Sequence, residues 1–146
     1  MRLLILVGVL ALMGCGGKAA DASGSSRPAG PVLTPVVEAV AWVNKMPGVM
    51  ERDASGKPIY PGHLVVKVYG DAQVFKLEVS NQSKQLGEFT GDQLIRREME
   101  KSLNFMVNKD LRIDQGDTLS VKVWMVVNEK DTVQSYIQNV PVKVAY

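Results

Sequence analysis

Between Thr118 and Asn128 every second residue is apolar: Leu119, Val121, Val123, Met125 and Val127. A strand sends successive side chains to opposite faces, whereas a helix returns to one face about every 3.6 residues. The period of two predicts a strand with one face in a core. Trp124 and Val126 lie on its other face, which predicts cover on both sides near that end. Leu64, Val66 and Val68 alternate with Val65, Lys67 and Tyr69 in the same way. So do Phe75, Leu77 and Val79 with Lys76, Glu78 and Ser80. Such a chain is committed to a mainly β fold.

Turn chemistry divides these runs. Pro47-Gly48, Gly70-Asp71 and Gln115-Gly116-Asp117 supply residues that tolerate the backbone angles of tight turns. Asn128-Glu129-Lys130-Asp131 is expected to close a hairpin between Thr118–Asn128 and Thr132–Tyr146. In the second arm Val133 and Ile137 have one parity, while Val140, Val142 and Val144 have the other. A bulge near Gln138–Pro141 would restore a single inward face, and Pro141, which has no N–H to donate, suits a bulge or an edge. Many short strands with regular turn signals predict an antiparallel, immunoglobulin-like β-sandwich of about seven strands over residues 36–146. No Cys pair marks a true immunoglobulin domain.

One segment departs from period two. Thr90 and Gln93 stand at capping-box spacing. Beyond them Ile95, Met99, Leu103 and Met106 recur at steps of three and four, with Arg96, Arg97, Glu100 and Lys101 between. A short amphipathic helix from Asp92 to about Leu103 is expected, with a strand as the competing reading for Ser102–Val107.

The N-terminus has a different character. Met1-Arg2 gives a short positive start, Leu3 to Met13 is apolar apart from Gly8, and Gly14-Cys15-Gly16-Gly17 follows. A membrane-spanning helix needs roughly 20 apolar residues, so this run has the length of a signal-peptide core instead. Leu12-Met13-Gly14-Cys15 resembles the lipobox of bacterial lipoproteins, with Met13 a less usual occupant of its position. The resemblance implies a signal peptide over 1–14, cleavage between Gly14 and Cys15, and a diacylglycerol on the Cys15 thiol, with a further acyl chain such as palmitate on the new amine. An ordinary secretory signal and an uncleaved anchor are the alternatives. Cys15 is the only Cys, so it has no disulfide partner, and acylation accounts for the odd thiol. By analogy with enteric lipoproteins, Gly16 rather than Asp after the Cys implies export to the outer membrane.

Residues 15–35 then read as the acylated Cys and a flexible tether. Small residues and Pro28, Pro31 and Pro35 dominate, with little to bury. At roughly 5–6 Å times the square root of the residue count, it holds the domain about 25 Å from the membrane. The formal charge is +2, and without Arg2 the mature chain carries 16 basic and 15 acidic side chains. That balance predicts no nucleic-acid partner, which would call for clustered Lys and Arg.

No motif in residues 36–146 spells catalysis. His63 is the only histidine, which excludes multi-histidine zinc sites, and no Gly-x-Ser-x-Gly elbow is present. An exposed loop position is expected for it. Asp110, Asp114 and Asp117 lack the alternate spacing of a calcium loop and read as solvated turn acids. Glu78 and Glu88 are a conceivable carboxylate pair for glycoside hydrolysis, although nothing singles them out. Lys84, Arg96, Arg97 and Lys101 are interleaved with Glu98 and Glu100 and read as a mixed solvated face. Trp42 and Trp124 are expected as core anchors, with exposed partner contacts as the alternative, since Trp carries unusual binding energy.

A second resemblance covers part of the domain. Gly56-Lys57-Pro58, Leu64–Tyr69, Leu86-Gly87 and the Asp92–Glu98 stretch are similar to the outer-membrane lipoprotein of type VI secretion systems. The departures are the gap between Pro58 and Leu64 and an end at Ala145-Tyr146 without that family's basic segment. The resemblance implies a small β-sandwich with a helical excursion and a role in docking a secretion complex to the outer membrane. The expected function is a non-enzymatic, cofactor-free envelope adaptor or binding module, anchored through Cys15 at the periplasmic face of the outer membrane and engaging a protein partner. The alternatives are the secretion-docking subunit, a small-ligand carrier and a hydrolase.

Overall fold

The alternating segments do become strands. In this computed structural model, which describes residues 32–82, 84–107 and 111–146, the elements in chain order begin with β1 (Val36–Asn44), β2 (Glu51–Arg52), β3 (Pro58–Ile59) and β4 (Gly62–Tyr69). They continue with β5 (Ala72–Asn81), β6 (Lys84–Thr90), a 3₁₀ turn at Gly91–Gln93, β7 (Leu94–Glu98) and β8 (Leu103–Val107). The last two are β9 (Thr118–Val127) and β10 (Asp131–Ala145). Eight strands form one curled sheet in the order β6-β5-β9-β10-β1-β4-β8-β7, and β2 with β3 makes a separate ribbon. All pairings are antiparallel except β1 with β10.

β10 turns this curled sheet into a sandwich. Asp131–Pro141 pairs with β9, and Val142–Ala145 then runs parallel to Ala41–Asn44 of β1. The register shift between Ile137 and Val140, with Asn139 at φ 57°, is the bulge that the parity change predicts. It turns Val140 and Val142 into the core. The β9–β10 turn holds Asn128 and Glu129 at φ 52° and 62°, with the Lys130 N–H donating to the Val127 carbonyl at 3.3 Å. Two successive positive φ values define a type I′ turn, whose twist matches that of the hairpin arms.

The inward rows form one core. Leu64, Val66 and Val68 of β4 meet Leu77 and Val79 of β5 and Leu119, Val121, Val123 and Met125 of β9, all fully buried. β5 departs from the expected alternation at one residue. A register shift between Val74 and Lys76 places Val74 in the core and leaves Phe75 40% exposed. An extra residue in a strand reverses the parity on one side of it. The three-residue step from Val74 to Leu77 is the trace this leaves in the sequence.

The expected helix is absent. Only its first turn exists, at Gly91–Gln93, where the Thr90 N–H donates to Gln93 Oε1 at 3.2 Å. Residues 94–107 form the β7–β8 hairpin instead, closed where the Met99 N–H donates to the Ser102 carbonyl. Pairing β8 with β4 buries Phe105 and Val107, and tertiary burial of this kind overrides local propensity. The apolar steps read as helical are cross-strand neighbours: Ile95 faces Met106, and Met99 sits 58% exposed at the turn.

Gly62 is held in close packing. A Cβ built there would overlap the Ile113 side chain and the Leu111 carbonyl oxygen, and Gly62 itself forms an isolated bridge to Leu111. Overpacking of this kind costs about 1–3 kcal/mol. Gly62→Ala should lower the unfolding free energy by that amount in urea titrations, while Glu51→Ala on the exposed ribbon should leave the midpoint nearly unchanged.

Candidate functional site

The excursion between β1 and β4 and the segment Leu111–Asp114 wall two adjoining hollows. A hollow of about 340 Å³ is lined by Asn44, Glu51, Tyr60, His63 and Arg112 with apolar neighbours. A second, of about 310 Å³, shares Ile59, Tyr60 and Arg112 and adds Asp53, Lys57 and Asp114. Lys45 Nζ lies 5.6 Å from the Tyr60 ring centre and donates to Gln115 Oε1 at 3.0 Å, which ties the excursion to the neighbouring turn.

His63 is not the exposed loop residue expected. It lies within β4, half-buried and cross-strand from Trp42, with ring centres 5.3 Å apart and planes at 28°. Its imidazole is stacked on an indole, and no Ser, Thr or Cys lines its hollow among the described residues. Trp42 and Trp124 are not core anchors either. Their neighbours Ala41, Val43, Val123 and Met125 point inward, so both indoles lie half-buried on outer faces. Trp124 carries Lys76 Nζ 4.6 Å above its ring.

Glu78 and Glu88 do come together, but on a sheet surface. They are cross-strand partners, and both reach Lys76, at 2.9 and 3.2 Å, while Lys122 approaches Glu78 at 3.9 Å. Glu78 first and then Glu88 hold the Lys76 ammonium above the ordinary lysine value. Both carboxylates are already engaged by cations on an outer face, not poised across a cleft. Asp114 and Asp117 form the solvated turn expected: the Asp114 N–H donates to Asp117 Oδ2 at 2.8 Å and the Asp117 N–H to the Asp114 carbonyl at 3.1 Å. Asp110 lies outside the described residues. No group of three His, Cys, Asp or Glu side chains is placed to share a metal ion among the described residues.

Lys84 and Arg96–Arg97 sit on β6 and β7, the two ends of the strand order. Arg96 pairs with Glu98 at 2.7 Å, both largely exposed, but Arg96 and Arg97 are successive strand residues that point to opposite faces, so the single mixed face expected is divided between the two sides of β7. Sequence reasoning missed that these are edge strands, because a helix was expected where β7 lies. Gly14, Cys15 and the tether up to residue 31 lie outside the described residues. No described helix is long and apolar enough to cross a membrane. Compared with family models, curated proteins and solved structures, the chain matches none.

The ribbon beside the hollow depends on Asp53. Its Oδ1 accepts from Ser55 Oγ at 2.6 Å and from the N–H groups of Ser55 and Lys57 at 2.9 Å each. The Ser55 hydroxyl first, then the Lys57 N–H, hold the carboxyl below the ordinary Asp value. A depressed folded pKa contributes stability above the unfolded value, and the contribution is lost as pH falls through the folded one. Ser55→Ala should raise the Asp53 pKa toward the ordinary Asp value in an NMR titration, and an unchanged pKa would contradict this assignment.

Proposed function

We propose that this chain is a membrane-anchored cell-envelope lipoprotein whose β-sandwich is a non-catalytic binding or adaptor module, held by lipid on Cys15 at the periplasmic face of the outer membrane. The observation that carries this reading is the N-terminal order: apolar run, Leu12-Met13-Gly14-Cys15, then a tether rich in small residues and proline that leads to β1 at Val36. Each buried methylene of an acyl chain stabilises membrane binding by about 0.8 kcal/mol, and one chain alone holds only marginally. Two or three chains on one residue make the attachment lasting.

The form of the domain supports the adaptor part of the reading. Strands with an unpaired side accept an extended segment of another protein through main-chain hydrogen bonds, and β6 and β7 each have one such side among the described residues. The narrower reading, a secretion-docking subunit, has less support, because the helical excursion it implies is replaced by the β7–β8 hairpin.

The test is lipid incorporation. Cells expressing the protein should transfer labelled fatty acid to it and retain it in the membrane fraction. Cys15→Ser should abolish the label and release the chain. A mutant that still labels and still sediments with membrane overturns the anchor.

A further inference from the structure

We propose that β7 is a docking edge for an extended partner segment that carries an acidic residue beside apolar ones. This rests on the adaptor reading and names the surface and the chemistry it would use. β7 pairs with β8 without any register shift from Leu94 to Glu98, and its other side has no strand among the described residues. β6, the competing edge, is irregular. Its pairing slips between Val79 and Ser80 of β5, and the Phe89 ring fills the space where a Gly87 side chain would stand. Irregular pairing of this kind is one way natural edges resist an added strand.

The two faces of β7 specify what could lie beside it. Leu94, Arg96 and Glu98 are cross-strand from Val107, Phe105 and Leu103, so they share the inner face. There, β6 stops pairing at Thr90 opposite Lys76, and Ala72–Phe75 of β5 have no neighbour on that side among the described residues. The gap left between the layers is a hollow of about 180 Å³ walled by Phe75, Leu94, Arg96 and Phe105. It accommodates one apolar side chain from a strand added to β7. On the outer face, cross-strand pairing sets Arg97, Asn104, Lys67 and Glu38 in one row and Ile95, Met106, Val65 and Val40 in the next. Glu38 accepts a hydrogen bond from the Tyr69 hydroxyl at 3.0 Å, whereas Arg97 and Lys67 make no ion pair among the described residues.

An added strand therefore meets a cation at Arg97, an apolar row at Ile95, and a hollow between them on the reverse face. A carboxylate, an apolar residue turned inward and a second apolar residue match these in succession. Self-pairing about a two-fold axis centred on Arg97 would set that guanidinium opposite its own copy while pairing Arg96 with Glu98, so a second copy leaves Arg97 without a carboxylate, and an acidic partner supplies one.

The probe is a fluorescent synthetic strand peptide carrying glutamate, leucine and valine in succession, titrated into the full-length protein in detergent, with a lysine-for-glutamate peptide as its counterpart. The glutamate peptide should bind about tenfold more tightly than the lysine peptide, since an attraction across the strands becomes a repulsion. Arg97→Glu should reverse that order. Amide hydrogen exchange should slow in Leu94–Glu98 and not in Lys84–Thr90. Equal affinity for both peptides, protection confined to β6 or to the His63 hollow, or a dimer formed through β7 would each overturn the proposal. Fatty-acid labelling of Arg97→Glu separates this outcome from the anchor, because loss of β7 binding leaves lipid on Cys15 unchanged.

Discussion

The parallel pairing of β10 with β1 is the constraint on which the sandwich rests. Among the described strands β10 is the one that belongs to both layers, and it changes layer at the Ile137–Val140 bulge. An unbroken alternation would keep Val140 and Val142 on the wrong face. The extra residue turns them inward and brings Val142–Ala145 beside Ala41–Asn44. Two further backbone bonds hold the junction: the Val142 N–H donates to the Asp117 carbonyl, and the Lys45 N–H donates to the Ala145 carbonyl, each at 2.9 Å. Pro141, with no N–H to place, lies where the pairing changes.

That junction orders the ends of the domain. β1 begins at Val36, opposite Tyr69, and the β9–β10 turn lies beside Ala72, so the chain enters the sheet next to the Gly70-Asp71 and Asn128–Lys130 turns. β1 finishes at the other end, where the ribbon, the His63 hollow and the Asp114–Asp117 turn gather. Among the described residues β6 and β7 are left as the free edges, joined by the turn at Gly91–Gln93 that crosses from one layer to the other. The position of that crossing leaves part of β5 uncovered beside β7, and the hollow at Phe75 and Phe105 is the consequence.

Much of this was legible because period-two alternation is a direct imprint of burial. The inward rows of β4 and β9, the β9–β10 hairpin and the β10 bulge all follow from the order of apolar residues. What was not legible depended on partners distant in sequence. Ile95, Met99, Leu103 and Met106 have helical spacing, and only the pairing of β8 with β4 makes them a hairpin. Phe75 looks inward until the bulge beside it is known. His63 and Trp42 acquire their places through each other, across a strand pair the sequence does not announce. The proposal for Cys15 rests on local sequence alone, because the Leu12-Met13-Gly14-Cys15 motif lies outside the described residues.

The central claim is that Cys15 is the lipid-bearing first residue of a mature envelope protein, and mass spectrometry of the N-terminal peptide tests it most directly. Protein extracted from membranes with detergent should yield a peptide that begins at Cys15 and carries the mass of a diacylglyceryl group, with or without an amide-linked acyl chain. An N-terminal peptide that begins at Met1, or one in which Cys15 is an unmodified thiol, would contradict it.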